Sequence, residues 1–331
     1  MYEDFYGFTE KPFTLLPDPS FLFLGKKHST AYAMLEYGMV SQAGFSVITG
    51  EVGSGKTTLI RHLLNQLDED ITVGLLNTSH NDMGELLQWV LLSFGLEYRE
   101  KERVVLHDIF TQFLIEQYAQ NRRTVLIVDE AQNLQPQVLE ELRLLSNINA
   151  DKHQVLQIVL VGQPQLRSML KHDDFLQFQQ RVSVDYHLSA LSEDETRAYI
   201  FHRTRLAGRN KPLFTKGAST LIFRASQGIP RVINTVCDAA LVYGFADQKT
   251  LLDSKLVIAV LEDKAKARNA HTQGNQDTSN IVKPVVIAGG QADSGRPQHT
   301  DHNEFSKSGK RITDFNRDSA KLLFKKYYHD S

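Results

Sequence analysis

Residues 50–57 have the composition and spacing of a phosphate-binding loop. In chain order they are Gly50, Glu51, Val52, Gly53, Ser54, Gly55, Lys56 and Thr57, and Thr58 follows them at the start of a helical pattern. In such a loop the glycines let backbone N–H groups point at phosphate oxygens, Lys56 reaches the β- and γ-phosphates, and the hydroxyl of Thr57 reaches Mg²⁺. A chance glycine-rich turn is the alternative, but an apolar run precedes the loop and helical spacing follows it. The motif therefore predicts nucleotide and Mg²⁺ binding by residues 50–58.

A second apolar run, residues 124–128, ends in two consecutive acids, Asp129 and Glu130. Beside a phosphate-binding loop, the first carboxylate can hold Mg²⁺ together with Thr57, and the second can polarise an attacking water. The alternative is that the pair only begins a solvated loop before the helix predicted to start at Pro136. The pairing with the loop favours hydrolysis, with Asp129 as a metal ligand and Glu130 as the carboxylate that polarises the water.

The composition is that of a soluble globular protein, with 331 residues of which 41% are hydrophobic and 23% charged. A net charge of -2 gives no global reason to expect nucleic acid as the main partner. The single cysteine, Cys237, rules out an intramolecular disulfide, and the twelve histidines lack the spacing of a zinc site. The N-terminus does not resemble a signal peptide, and no apolar stretch is long enough to cross a bilayer. We expect a cytoplasmic protein, with peripheral association at the inner membrane left open.

The apolar runs along the first part of the chain predict strands of a buried parallel sheet. They cover residues 45–49, 72–77, 124–128, 155–161 and 184–188. Helical patterns separate most of them, at residues 82–93, 104–120 and 136–147. Runs that are apolar throughout and alternate with helices indicate a doubly wound α/β domain with a five-stranded sheet, placed at residues 1–190.

From Leu191 onward the sequence shows helical patterns alone. Ser192 and Glu195 form a capping box that begins one helix, and three further helices are predicted at residues 214–226, 230–245 and 253–267. We expect an all-helical lid domain at residues 191–268.

Residues 269–331 are polar and lack apolar periodicity, which predicts a mostly disordered tail. Residues 319–328 combine lysines with an apolar stripe. This segment is either a docking element for a partner or an anionic surface, or a frayed helix with solvated lysines.

The order of these parts resembles the AAA+ ATPases: a P-loop strand, an Asp-Glu strand, a strand that ends in a polar residue, and a helical lid. The resemblance implies ATP and Mg²⁺ as ligands and assigns three further residues. Gln163 would be sensor 1, and Arg231, in the Gly-Ile-Pro-Arg turn of residues 228–231, would be sensor 2. Arg181 would be an arginine finger that acts on a neighbouring subunit, the alternative being that it only pairs with an acid such as Asp185 or caps its helix.

Further motifs resemble the general secretion pathway protein A group over about residues 1–265. They are the opening of residues 1–8, the Lys-Pro-Phe of residues 11–13, the Pro-Asp-Pro of residues 17–19, and residues 128–134, 162–164 and 228–234. The group includes ATPases of pilus biogenesis and of exosortase-linked exopolysaccharide loci. The resemblance implies a homo-oligomeric ATPase that powers or regulates assembly of a secretion, pilus or exopolysaccharide envelope system. Its implied partners are envelope, pilus or polysaccharide-export proteins, including membrane-proximal ones. The polar tail departs from secretion members that carry a transmembrane segment and a peptidoglycan-binding domain, so we do not expect direct action on the cell wall.

Two other functions remain open at this stage. A DNA-associated ATPase resembling the transposition helpers would need a basic face, which Lys264, Lys266 and Arg268 do not clearly provide. A nucleotide-dependent scaffold without turnover is disfavoured by Glu130. The resemblance also places the N-terminal segment near the adenine, where Phe13, Phe21 and Phe23 either contact the base or only pack the segment in place.

Overall fold

The computed structural model describes residues 1–78, 85–150 and 153–277 of the chain. One compact unit takes in Met1–Val260, and a second begins at Leu261. Of the second unit, the structure describes residues 261–277, which are helical.

A five-stranded parallel sheet forms the centre of the first unit, with the strand order β2-β3-β6-β1-β7. The strands are β1 (Phe45–Gly50), β2 (Ile71–Asn77), β3 (Arg123–Asp129), β6 (Leu156–Gly162) and β7 (Val182–Leu188), and a separate two-stranded antiparallel ribbon joins β4 (Asn149–Ala150) to β5 (His153–Gln154). Each of the five predicted strands is present within two residues at either end. Strands β1 and β6 are buried along their whole length, as expected for strands covered on both faces.

Helices cover both faces of the sheet. They are α2 (Lys26–Val40), α3 (Lys56–Gln66), α4 (Leu86–Ser93), α5 (Arg103–Ala119), α6 (Pro136–Leu145), α7 (Pro164–Leu170) and α8 (Leu176–Gln179). One apolar cluster joins α2 and α3 to one face, and a second joins α4, α5, α6 and α7 to the other. The doubly wound α/β arrangement is confirmed. The helix predicted at residues 82–93 is described from Leu86, because residues 79–84 lie outside the described part of the chain.

The helical lid consists of α9 (Glu193–Leu206), α10 (Lys216–Ser226), α11 (Pro230–Ala246) and α12 (Ser254–Asp277). Ser192 and Glu195 form the predicted capping box at the start of α9. Helix α12 runs to Asp277, so the helical region extends past residue 268, where the sequence analysis ended the lid. The remainder of the predicted tail, residues 278–331, lies outside the described residues. Within the described ranges, no helix combines the length and the hydropathy needed to cross a membrane.

The first 23 residues, which we call the N-terminal arm, join the lid to the α/β part. The arm begins with a short helix, α1 (Glu3–Tyr6). The hydroxyl of Tyr2 donates to the carboxylate of Asp238, and the hydroxyl of Tyr6 lies 3.3 Å from the carbonyl of Leu241, both on α11. Farther along, the guanidinium of Arg61 on α3 donates to the carbonyl of Pro17 at 2.6 Å. The start of the arm therefore packs on the lid, and its end reaches the helix that follows the P-loop.

Candidate functional site

A cavity of about 360 Å³ lies between the P-loop, the N-terminal arm and the lid. Nine predicted site residues line it together: Val52, Gly53, Gly55, Lys56, Thr57, Thr58, Glu130, Gln163 and Arg231. They come from the P-loop and the start of α3, from the residues directly after β3 and β6, and from the start of α11. Ligands of doubly wound sheets bind at this edge, beyond the strand ends.

The P-loop connects β1 to α3 and needs its glycines for backbone geometry. Gly53 has a φ of +79° and Gly55 a φ of +99°, which side chains other than glycine rarely adopt. The ammonium of Lys56 donates to the carbonyls of Gly50 at 2.8 Å and Glu51 at 3.0 Å, so it lies within the curl of the loop. Burial lowers the pKa of Lys56, against the opposing effect of the neighbouring acids. Because the ammonium is desolvated, an anion such as a phosphate would stabilise its charge strongly.

Thr57 and Asp129 meet at the point predicted for Mg²⁺. The hydroxyl of Thr57 donates to a carboxylate oxygen of Asp129 at 3.0 Å, and Asp129 is buried. A hydroxyl and one carboxylate beside a phosphate-binding loop are a donor set that fits Mg²⁺, which takes few protein oxygens and completes its shell with phosphates and water. In the described ranges no cluster of three or more His, Cys, Asp or Glu side chains offers a different metal site.

Glu130 sits in a left-handed backbone conformation, with a φ of 56°, at the end of β3. Its Oε2 accepts hydrogen bonds from the side-chain amides of Gln163 at 3.3 Å and of Gln132 at 2.6 Å. The structure therefore brings the predicted catalytic acid and the predicted sensor 1 residue into contact. Gln132 enters the sequence analysis only within the motif of residues 128–134, and no role was assigned to it there.

Thr78 fixes the turn that carries both acids. It is buried just after β2, and its hydroxyl donates to the carbonyls of Asp129 at 3.0 Å and Glu130 at 2.6 Å. The backbone N–H of Thr78 also donates to the carbonyl of Asp129 at 3.2 Å. The sequence analysis missed this residue, since only the pairing of β2 with β3 places it beside the acids.

The lid contacts the P-loop through the first turn of α11. The backbone N–H of Arg231 donates to the carbonyl of Gly53 at 3.2 Å. A Cβ added to Gly53 would lie 2.5 Å from the Cβ of Arg231, so this glycine permits the close approach. The exposed guanidinium of Arg231 extends from a backbone that already touches the loop.

Aromatic side chains from the arm and the lid also line the cavity. Phe21 and Phe23 come from the arm and Tyr199 from α9. The guanidinium of Arg203 lies over the ring of Phe21 at 4.7 Å and donates to the hydroxyl of Tyr199 at 3.2 Å. Phe13 packs edge-on against Phe214 and is not among the residues that line the cavity. Of the three phenylalanines that the sequence analysis considered for base contact, Phe21 and Phe23 thus line the cavity and Phe13 does not.

His28 contacts the P-loop from another helix, and the sequence analysis did not identify it. It lies on α2, is buried, and its Nε2 is 3.0 Å from the carbonyl of Ser54. Burial lowers its pKa. A lone histidine in a helix gives no sequence signal for this contact.

Arg181 lies apart from the residues that line the cavity. It directly precedes β7 and donates to the hydroxyl of Ser146 at 3.1 Å, just after α6. Asp185 instead pairs with Arg167 at 3.2 Å. The structure thus brings nine of the predicted residues together around one cavity of a single protomer, and Arg181 is not among them.

Comparison with known proteins shows which family the chain resembles. An AAA domain matches residues 39–170. Over 248 residues, 74% of this chain, the sequence is 42% identical to general secretion pathway protein A from Aeromonas hydrophila. The chain is therefore similar to AAA proteins over residues 39–170. It spans 45% of the length of that relative, so the activity and partners of the relative enter only as proposals.

Solved AAA+ structures share the fold at low sequence identity. The ORC2 protein of Aeropyrum pernix in its ADP form has a TM-score of 0.54 and 19% identity, over 72% of this chain and 67% of that one. The ORC1 protein of Aeropyrum pernix in complex with DNA has a TM-score of 0.56 and 13% identity, over 77% of this chain and 69% of that one. The AAA+ fold predicted from the order of the motifs is confirmed.

Proposed function

We propose that this AAA+ chain binds ATP with Mg²⁺ and hydrolyses it. The observation that carries the proposal is the meeting of a phosphate-binding lysine, a hydroxyl-carboxylate pair and a second acid around one cavity. When bound between Thr57 and Asp129, Mg²⁺ would neutralise charge on the phosphates. A site that only held a nucleotide would have no need of Glu130.

Each side chain has a distinct part in this reaction. Lys56 holds the β- and γ-phosphates, and the backbone N–H groups of the loop surround them. Glu130 accepts a hydrogen bond from the attacking water and orients it toward the γ-phosphate. Gln163 donates a hydrogen bond to that carboxylate and would sense the γ-phosphate. Arg231, at the start of α11, would carry the state of the phosphates to the lid.

We further propose that the ATPase works as a homo-oligomer in assembly of a bacterial envelope system, with Arg181 reaching the site of the next subunit. Support comes from the 42% identity to a protein whose name places it in secretion. Whether the client belongs to a secretion, pilus or exopolysaccharide system is tested by capture from native cells with a Glu130→Gln variant, which would bind ATP without hydrolysing it. Salt-dependent retention of DNA by the same variant, without envelope proteins, would favour the transposition-helper alternative instead.

Two substitutions test the hydrolytic site. Lys56→Ala removes the ammonium from the phosphate site, so we expect loss of ATP binding. Glu130→Gln leaves the loop intact, so we expect ATP binding near that of the wild type and a fall in kcat of about 10²–10⁴-fold, the range for a general base. Binding of a fluorescent ATP analogue and release of phosphate are measured on both variants. Turnover of Glu130→Gln at the wild-type rate would show that another group polarises the water.

A further inference from the structure

Gln132 connects the catalytic acid to the neighbouring strand of the sheet. It lies in a single turn of 3-10 helix, Ala131–Asn133, directly after β3. Its Nε2 lies 2.6 Å from Oε2 of Glu130, and its Oε1 accepts the backbone N–H of Gln163 at 2.9 Å. One amide therefore contacts both the predicted catalytic residue and the backbone of the predicted sensor.

The two contacts together fix which way the amide faces. A backbone N–H can only donate, so the atom of Gln132 that meets Gln163 must be the oxygen. The NH₂ group is then left facing Glu130, whose carboxylate can only accept when ionised. A flipped amide would lose both hydrogen bonds, so the arrangement specifies a single orientation.

Gly162 leaves room for this amide. A Cβ added at Gly162 would lie 3.0 Å from Oε1 of Gln132 and 2.8 Å from a methyl carbon of Leu166. Any larger residue at the end of β6 would press on the atom that anchors Gln132. The glycine therefore serves the contact between Gln132 and Gln163.

Both hydrogen bonds that Glu130 accepts from described side chains reach the same oxygen, Oε2. A carboxylate held through one oxygen presents the other in a fixed direction, and the backbone at Glu130 has a φ of 56°, a left-handed conformation that persists only where the surrounding structure holds it. Hydrogen bonds to an ionised group are shorter and stronger than those between neutral groups, and the one from Gln132 is the shorter of the two. Gln132 is thus the principal restraint on the direction of the acid.

We propose that Gln132 is a positioning residue for hydrolysis, which holds Oε2 of Glu130 so that Oε1 faces the attacking water. This inference rests on the proposed function, in which Glu130 polarises that water. Gln132 itself does not touch substrate; it acts through Glu130 and through the end of β6. Loss of its donor should reduce turnover while leaving nucleotide affinity unchanged.

Two variants of the full chain separate the two ends of the amide. Gln132→Leu removes the donor and the acceptor at similar side-chain size. Gln132→Glu keeps an acceptor for the N–H of Gln163 but replaces the donor that faces Glu130 by a second carboxylate oxygen. Steady-state kcat and KM with Mg²⁺-ATP and the Kd for a fluorescent ATP analogue are measured at a pH well above the ordinary carboxylic acid pKa. We expect kcat to fall about tenfold or more in both variants, as for loss of a hydrogen bond to a charged group, with Kd unchanged.

Gln135 provides the matched control. It is exposed at the residue before α6, and its side chain makes no capping hydrogen bond. Gln135→Leu should therefore keep the wild-type kcat and KM. Thermal unfolding of all four proteins checks that each is folded, and Gln132→Glu carries the test if Gln132→Leu is not.

The outcomes distinguish this inference from the proposed function. A wild-type kcat in Gln132→Glu would overturn the inference, because the donor to Glu130 would then be dispensable. Parallel loss of ATP binding in both variants would also overturn it, since Gln132 would then support the whole cavity. An active wild type in either case leaves the proposed ATPase intact, whereas absence of hydrolysis by the wild type would remove the proposed function and the role of Gln132 together.

Discussion

His28 shows how a single side chain outside the P-loop motif supports the loop. The carbonyl of Ser54 can only accept, so Nε2 of His28 must carry the proton, and Nδ1 is left as a buried atom without a hydrogen-bond partner among the described residues. Protonation of Nδ1 would place a charge in a buried setting that lacks an acceptor. This is the physical reason that burial lowers the pKa of His28, more than the nearby carboxylate of Glu195 raises it.

The lowered pKa predicts how stability depends on pH. The unfolded chain takes up a proton at His28 near the ordinary pKa of about 6.5, while the folded chain resists it to lower pH. The contribution of His28 is therefore fully present above about pH 6.5 and is lost as the pH falls through its folded pKa. Urea unfolding of the wild type and of His28→Gln is measured from about pH 8 down to about pH 5. We expect the stability advantage of the wild type to shrink as the pH falls.

His202 does not affect the comparison between the wild type and His28→Gln. Burial lowers its pKa as well, but it is present in both proteins and cancels in the difference. A difference in unfolding free energy between the wild type and His28→Gln that stays constant over the pH range would contradict the assignment.

At the scale of elements, the sequence predicts the sheet and the lid because their signals are local. Apolar runs identify buried strands, and the capping box at Ser192 marks the start of α9. The P-loop and the two acids are equally local, so the centre of the site is predicted as well. The packing of the arm on α11 and the contacts of Thr78 and Gln132 join residues from different elements. No pattern within one segment encodes such contacts, which is why the sequence analysis missed them.

The turn between α10 and α11 offers a test of how tightly the lid is joined to the rest. Gly228 has a φ of +73°, and a Cβ added there would lie 2.0 Å from the carbonyl oxygen of Leu191. Since that atom belongs to the backbone, it cannot move aside without shifting the chain that leads from β7 into α9. Gly7 has the same φ of +73°, with nothing within 4 Å of its added Cβ.

We therefore expect Gly228→Ala to destabilise the protein more than Gly7→Ala. The left-handed backbone alone costs about 1–2 kcal/mol for alanine, which applies to both variants. The clash at Gly228 should add about 1–3 kcal/mol, the usual cost of overpacking. Urea unfolding of the two variants and the wild type gives the comparison. Equal losses of unfolding free energy in the two variants would mean that the backbone at Leu191 shifts at little cost.

At the scale of the whole molecule, the proposed site is incomplete in one subunit if Arg181 acts on a neighbour. Arg181 is half-buried, and its guanidinium bonds the hydroxyl of Ser146 at 3.1 Å rather than any residue of the cavity. A neutral hydroxyl is a weak partner for a guanidinium compared with a carboxylate. The contact orients Arg181, whose charge also lowers the pKa of the nearby Glu140, after the larger effect of the hydrogen bond from Arg143.

Mixed oligomers test this proposal. Arg181→Ala should bind ATP but lose turnover by about 10³–10⁵-fold, the range for arginine fingers. Glu130→Gln should be inactive through its own site while keeping its finger. Mixing the two inactive proteins should restore phosphate release, because a Glu130→Gln subunit can supply Arg181 to the intact site of an Arg181→Ala neighbour.

The controls for this test are the unmixed variants and a demonstration that the two co-assemble. If both proteins are folded and form joint oligomers, yet no mixing ratio recovers activity, Arg181 acts within its own subunit or has a structural role only.

The N-terminal arm has a consequence for how the protein is made. Tyr2 and its partner Asp238 are 236 positions apart, and Arg203 donates to the carbonyl of Pro12 across 191 positions. During synthesis the arm leaves the ribosome before these partners, which follow it by 236 and 191 positions. Until they emerge, the arm lacks the partners that hold it against the lid. Closing so long a loop also carries an entropic cost. If the proposed nucleotide binds only the completed cavity, it stabilises the chain only after Arg203 and Asp238 have been made, and it does not guide the earlier folding of the arm.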